Sequence, residues 1–307
     1  MNLSATKDAK ISGYCRPRLV EHDSSFVEAV DMRHPLIERI QQEEVYVPND
    51  ISLGKEETGM IITGFNYLGK STFLRSVGVN VVLAQAGLFV ACRSMDLAPF
   101  RTLLTRIEGN DDLLKGKSSF MVEMMELKTI LERSHRNALV LGDEICRGTE
   151  QLSGLAILAS SIKDLSERQV PFIYTTHLHK LKDIPEIQQL SNLVYYYVRA
   201  EITEKGIQIN RKLVRGFCDS LYGIEVARFI LDKPEFIKQA FAIRNFLLNE
   251  HETIVSCKTS RYNKDIYMDR CEWKGCHETQ HLHTHHIRHQ EDANEFGLND
   301  GYIQKNQ

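Results

Sequence analysis

The sequence predicts an α/β fold: a parallel sheet covered by helices on both faces, then a helical pair and a tail of different character. Three observations predict it. Short apolar runs alternate with helix-like stretches over residues 23–215, the pattern of strands buried on both faces. A Gly-rich turn joins the first of these runs to its helix, as in a βα unit. Beyond residue 250 the chain becomes polar and gathers His in the stretch 277–289. A domain boundary is therefore expected near 250–260.

Taken in order, Thr58–Thr63 reads as a short buried strand ending at Gly64, and a helical pattern follows from Ser71. The run Val77–Ala91 is the most apolar in the chain, but Asn80 and Gln85 interrupt it. It falls short of the roughly 20 residues that a membrane helix needs. Met121–Arg133 and Gly154–Arg168 carry helical periodicity, and Ala138–Leu141 and Phe172–Thr175 read as further buried strands. Asn192–Thr203 and Gly206–Val214 read as a hairpin about Glu204-Lys205. From Gly223 to Asn249 the pattern is helical, with Pro234 where a second helix would begin.

Composition excludes several classes. The chain has 307 residues, 42% of them hydrophobic and 26% charged, enough apolar matter for a core and far from a disordered composition. Lys and Arg number 38 against 41 Asp and Glu, a formal net charge of −3. Any nucleic-acid site must then be a local patch. Seven Cys in so long a chain do not make a secreted disulfide scaffold. Residues 1–20 hold Lys7, Lys10, Arg16 and Arg18 with no continuous apolar stretch, which is not a signal peptide. The protein is expected to be soluble and intracellular.

The chemistry begins at Gly64-Phe-Asn-Tyr-Leu-Gly69-Lys70-Ser71, which fits G-x-x-x-x-G-K-[ST] between an apolar strand and a helix. Its Gly residues let backbone N–H groups and a helix N-terminus wrap a phosphate. Lys70 would reach the β- and γ-phosphates, and the Ser71 hydroxyl would complete a Mg²⁺ shell. Downstream, Leu139-Val-Leu-Gly-Asp143-Glu144 ends a strand expected next to the loop strand. Asp143 suits the metal's water shell, and Glu144 suits a base that polarises the attacking water. His177, after the third strand, could contact the γ-phosphate or that water. A pure nucleotide switch would not need Glu144.

These residues resemble one family. Thr63-Gly-Phe-Asn-Tyr-Leu-Gly-Lys-Ser-Thr72 resembles the nucleotide loop of the MutS mismatch-repair ATPases. Thr105-Arg-Ile-Glu-Gly-Asn-Asp-Asp-Leu-Leu-Lys-Gly-Lys-Ser-Ser-Phe-Met-Val-Glu-Met124 is similar to their signature segment, and Asp143-Glu-Ile-Cys-Arg-Gly-Thr149 to their Asp-Glu-x-x-Arg-Gly-Thr block. Thr176-His177, Arg33-His34-Pro35 and Ser220-Leu-Tyr222-Gly223 complete the set, over about residues 10–250. The resemblance implies a P-loop NTPase of the ABC-ATPase type that binds ATP and Mg²⁺, dimerises with itself or a related MutS subunit, and acts on mismatched double-stranded DNA. It implies that Ser118 reaches the partner's γ-phosphate in trans, that Asn66, Gly64, Gly69 and Thr72 help hold ATP, and that Tyr46 stacks on adenine. It divides the chain into the end of a core or lever region (1–22), the ATPase (23–222), a helix–turn–helix dimerisation segment (223–250) and the tail (251–307). Phe65 stands where the family has Pro, and Leu68 where it has a small residue; the Gly-Lys-Ser core is intact, so nucleotide binding is expected to survive. A Leu152-Ser153-Gly154 triplet lies after the Asp-Glu pair, the wrong order for the SMC and transporter ATPases. The family's mismatch-binding, connector and clamp regions do not occur in these residues, so a partial chain is expected.

In the tail, Cys271 and Cys276 would supply half of a tetrahedral Zn²⁺ knuckle. His285-His286-Ile287 resembles the ββα-metal (HNH) nucleases, and in particular the tail of a MutS subfamily with organellar and viral members. By that resemblance His286 is the general base and His285 binds a catalytic divalent metal. A His-rich tail that binds metal adventitiously has the same composition. No Cys follows Cys276, so the HNH module is expected to be partial and not a competent nuclease by itself.

Overall fold

The computed structural model describes residues 12–40, 46–64, 69–107, 119–203, 206–217, 223–231, 233–252, 298–299 and 302–303. The chain divides into two compact units, 1–229 and 230–307, so the compositional change near 250–260 falls inside the second. Asn66, Ser118, Cys271, Cys276, His285 and His286 lie outside the described residues.

The first unit is built on a six-stranded sheet of order β10-β9-β4-β8-β7-β6. Its strands are β4 (Gly59–Thr63), β6 (Thr102–Arg106), β7 (Ala138–Asp143), β8 (Phe172–Thr176), β9 (Leu193–Thr203) and β10 (Gly206–Arg215). All pair in parallel except the β9–β10 hairpin. The expected strands and hairpin are therefore present, with one correction. The Asp-Glu strand β7 is not next to the loop strand β4, because β8 pairs with both and lies between them. Chain order gave no sign of this: β8 is the last of the three in sequence and the middle one in the sheet.

Continuous apolar strands fill two cores. Met60 and Ile62 of β4, Leu139 and Leu141 of β7 and Ile173 of β8 face one cluster. Ile61, Val140, Phe172 and Tyr174 face the other. The period-two alternation of a strand thus buries apolar residues on both faces. Helix α2 (Lys70–Gln85) covers the first face through Phe73, Leu74, Val77 and Val81. Helix α3 (Ser119–Arg133) and helix α4 (Gln151–Glu167) cover the second through Ile130, Leu158 and Ile162.

A second sheet of order β1-β5-β2-β3 joins the first core through Val27, Leu53 and Leu97. It comprises β1 (Arg18–Leu19), β2 (Phe26–Met32), β3 (Asn49–Leu53) and β5 (Ser94–Ala98). The polar residues that interrupt the run Val77–Ala91 fasten it. Asn80 Oδ1 accepts from Ala91 N–H at 2.8 Å and its Nδ2 donates to the Arg33 carbonyl at 2.9 Å. Gln85 exchanges two bonds with the Phe100 backbone. Among the described residues, no helix is long and apolar enough to cross a membrane.

Short helices α1 (Ile37–Ile40) and α5 (Pro185–Gln188) complete the connections. Helix α6 (Gly223–Leu231) crosses the division between units, and α7 (Pro234–Glu252) belongs to the second, with the small antiparallel pair β11 (Leu298–Asn299) and β12 (Tyr302–Ile303).

Candidate active site at the strand ends

The C-terminal ends of β4, β7 and β8 meet at one place. Past β4, Gly64 takes φ 132° and Gly69 takes φ 92°, left-handed conformations that favour glycine. Among the described residues, a Cβ added at Gly69 would meet nothing within 4 Å, so the backbone there is open. Gly69 caps α2, whose first residues are Lys70, Ser71 and Thr72. The first turn of such a helix carries N–H groups without intrahelical partners and the positive end of the helix dipole. The Lys70 side chain is 3% exposed. Its Nζ donates to the Gly64 carbonyl and lies 3.8 Å from Glu144 Oε1. Burial pushes its pKa down, and Glu144 and Asp143 oppose that shift.

Asp143 ends β7 and Glu144 follows it, both buried. The hydroxyl of Thr175, at the end of the intervening strand β8, holds the pair. Thr175 Oγ1 donates to Asp143 Oδ1 at 2.5 Å and accepts from Glu144 N–H at 3.0 Å. Glu144 takes φ +48° and Cys146 φ +68°, two strained residues in one short loop, the kind of outlier that gathers at functional sites. Arg147 Nη1 lies 3.1 Å from Glu144 Oε2. From below, Glu123 of α3 accepts from Cys146 N–H at 2.7 Å and Gly148 N–H at 3.4 Å. Burial, with Glu123 beside it, pushes the Cys146 thiol up to about 12, so it is no nucleophile.

His177 stands past β8, exposed at the rim of the cluster. Partial desolvation first, and then Lys70, Arg147 and His179, hold its pKa below the ordinary imidazole value, while Glu144 pulls it back up. Tyr46 lies half-buried just before β3, close to the His34 backbone and the Ser76 hydroxyl on α2. Ser76 is six residues past Lys70, roughly 9 Å along the helix axis.

Lys70, Asp143, Glu144 and His177 are thus brought together, with Ser71 and Thr72 in the adjoining helical turn. Leu152-Ser153-Gly154 opens α4, where Glu150 caps the helix by accepting from Leu152 and Ser153 N–H. Sequence reading missed Thr175 and Glu123 as site residues. Thr175 carried no signal of its own. Glu123 did, because it falls on the buried stripe of α3 with Leu127 and Ile130, where an acid needs a reason.

The open glycine backbone, helix N-terminus, buried cation and paired carboxylates fit a nucleoside triphosphate. They also fit Mg²⁺, which takes one or two protein oxygens and keeps its other positions for phosphate and water. The family model MutS domain V matches residues 60–247. The chain is 38% identical over 302 residues to a mutS homologue of Acanthamoeba polyphaga mimivirus, with 86% of this chain and 27% of the relative covered. It is 38% identical over 304 residues to a mitochondrial DNA mismatch repair protein mutS homologue of Sarcophyton glaucum, covering 94% and 30%. It is 35% identical over 253 residues to the DNA mismatch repair protein MutS of Prochlorococcus marinus, covering 80% and 27%. The chain spans less than a third of each of these relatives. Its fold, its strand-end cluster and these matches show that it belongs to the MutS family, through that family's ATPase domain.

Proposed function

We propose that the chain binds and hydrolyses ATP to control a DNA clamp in a mismatch-repair protein, as one half of a dimer whose ATP sites are completed across the interface. The observation that carries this reading is the convergence of Lys70, Asp143 and Glu144 on the open Gly69 backbone. Gly64 and Gly69, with Asn66 and Thr72, would wrap the phosphates, and Lys70 would hold the β and γ groups. Ser71 and Asp143 would hold Mg²⁺, which draws charge from the transferred phosphoryl group when bound. Glu144 would take the proton of the attacking water. His177, whose pKa is held below the ordinary imidazole value first by desolvation, would orient that water without repelling Lys70. Tyr46 would stack on adenine, and Ser118 would serve the partner's nucleotide.

The dimer surface in this reading is the helical pair. On α7, Phe236, Ile243 and Leu247 are 54%, 52% and 51% exposed, with Ala240 between them at the three- and four-residue spacing of an apolar seam. Mismatched double-stranded DNA is the proposed partner of the whole protein.

The tail is proposed to be HNH-like, with Cys271 and Cys276 on Zn²⁺, His285 on a divalent metal and His286 as base. The reading rests on the residues themselves; the match to the Sarcophyton protein, over 94% of the chain, extends into residues 253–307.

The test is ATP hydrolysis against protein concentration, beside Glu144→Gln. Turnover should rise more than linearly and fall roughly 100-fold or more in the variant, with nucleotide still bound. Equal hydrolysis by Glu144→Gln would overturn the assignment of the base.

A further inference from the structure

The loop Glu144–Gly148 does not hold its shape unaided. Glu144 and Cys146 both sit at positive φ, a strained conformation that persists only where neighbours enforce it. On the β8 side the enforcing group is Thr175. On the other side it is the Glu123 carboxylate, 3% exposed, with one oxygen on Cys146 N–H and the other on Gly148 N–H. These two amides lie in the turn that follows Glu144, on either side of Arg147. Gly148 is shaped for this approach, since a Cβ there would lie 3.4 Å from Glu123 Oε2 and 3.3 Å from Phe120 Cα.

We infer that Glu123 is a positioning residue for hydrolysis: it fixes the loop so that the Glu144 carboxylate stays turned toward Lys70 and the phosphate opening. This rests on Glu144 being the water-activating base. A buried acid is costly unless its oxygens are satisfied, and here the loop backbone satisfies one oxygen from Cys146 N–H and the other from Gly148 N–H. Glu123 lies in the second turn of α3, five residues past Ser118. Movement of that helix end would therefore be passed to the chain's own Glu144.

The experiment uses the full chain with Glu123→Gln, which keeps the shape and one acceptor oxygen, and Glu123→Ala. Nucleotide affinity is followed by fluorescence titration and hydrolysis at saturating ATP. Hydrogen exchange is followed in peptides spanning 143–149 without nucleotide. Affinity should stay within about twofold while turnover falls about 10- to 100-fold, less in Gln than in Ala, as expected for a misplaced catalytic group. Exchange at 144–149 should quicken about tenfold while β4 and β8 stay protected. Unchanged exchange in Glu123→Gln would overturn the inference, and so would affinity falling in step with turnover. Glu144→Gln run alongside separates the two ideas. If it hydrolyses normally the base assignment fails, whereas the exchange result still decides whether Glu123 holds the loop.

Discussion

One hydroxyl joins the two acids of the site. Thr175 donates to Asp143 and accepts from Glu144 N–H, and it is fully buried. Thr175→Val keeps the shape and removes both bonds, leaving a carboxylate oxygen unsatisfied while Glu144 N–H keeps the Thr175 carbonyl at 3.2 Å. The expected loss is about 1–3 kcal/mol in urea unfolding, with Thr175→Ser close to the parent; a stable Val variant would show that water replaces the hydroxyl. His177 allows a test of sign. Its folded pKa lies below 6.5, so between the two values the unfolded chain binds a proton that the folded chain does not. Stability from this group rises with pH through that window and is lost as pH falls. In an NMR titration, Glu144→Gln should lower the His177 value further and Lys70→Met should raise it; shifts in the opposite directions would remove His177 from the cluster. At this scale legibility was uneven. Lys70, Asp143 and Glu144 were readable because their chemistry is tied to a local spacing. Thr175 was not, because its role depends on which strand lies between two others.

Elements bring these residues into register through close packing. Helix α2 can lie on β7 because Gly78 faces Leu141: a Cβ at Gly78 would be 2.9 Å from Leu141 Cδ1, and Leu141 is 1% exposed. Gly78→Ala therefore sets two effects against each other. Helix propensity favours Ala by about 0.8–1.0 kcal/mol, while an extra carbon in a filled core costs about 1–3 kcal/mol. The clash should win, giving a net loss of about 1 kcal/mol by denaturant midpoint; a gain would mean that Leu141 finds a second rotamer at no cost. The long apolar strands and amphipathic helices were legible because their pattern is local and repeated. The sheet β1-β5-β2-β3 was not. Its strand Asn49–Leu53 alternates buried and exposed, yet one buried position is Asn49, whose Oδ1 accepts from Leu213 N–H at 2.7 Å. A polar residue satisfied by a partner more than 160 residues away hides the alternation that would have revealed the strand.

At the scale of the molecule, the proposed site on one chain is half of a composite. Lys70, Asp143 and Glu144 come from one fold, but the γ-phosphate would be closed over by Ser118 of a second copy. Hydrolysis then depends on association, and association depends on a surface far from the site in sequence. The apolar seam of α7 is that surface in the proposal. Its residues Phe236, Ile243 and Leu247 recur at heptad-like spacing and are half exposed. Placing charges in the middle of such a seam leaves them desolvated and unpaired in the dimer, whereas in a free chain they simply face water. Ile243→Glu with Leu247→Glu should therefore convert a concentration-dependent dimer to a monomer by light scattering, without lowering the melting temperature of the nucleotide-binding fold. The double variant should still bind ATP, because every group that touches it in cis is untouched. Its turnover should become small and linear in protein concentration. A variant that stays dimeric would move the interface off α7. A monomer with full turnover would do more, since it would show that one chain completes its own site.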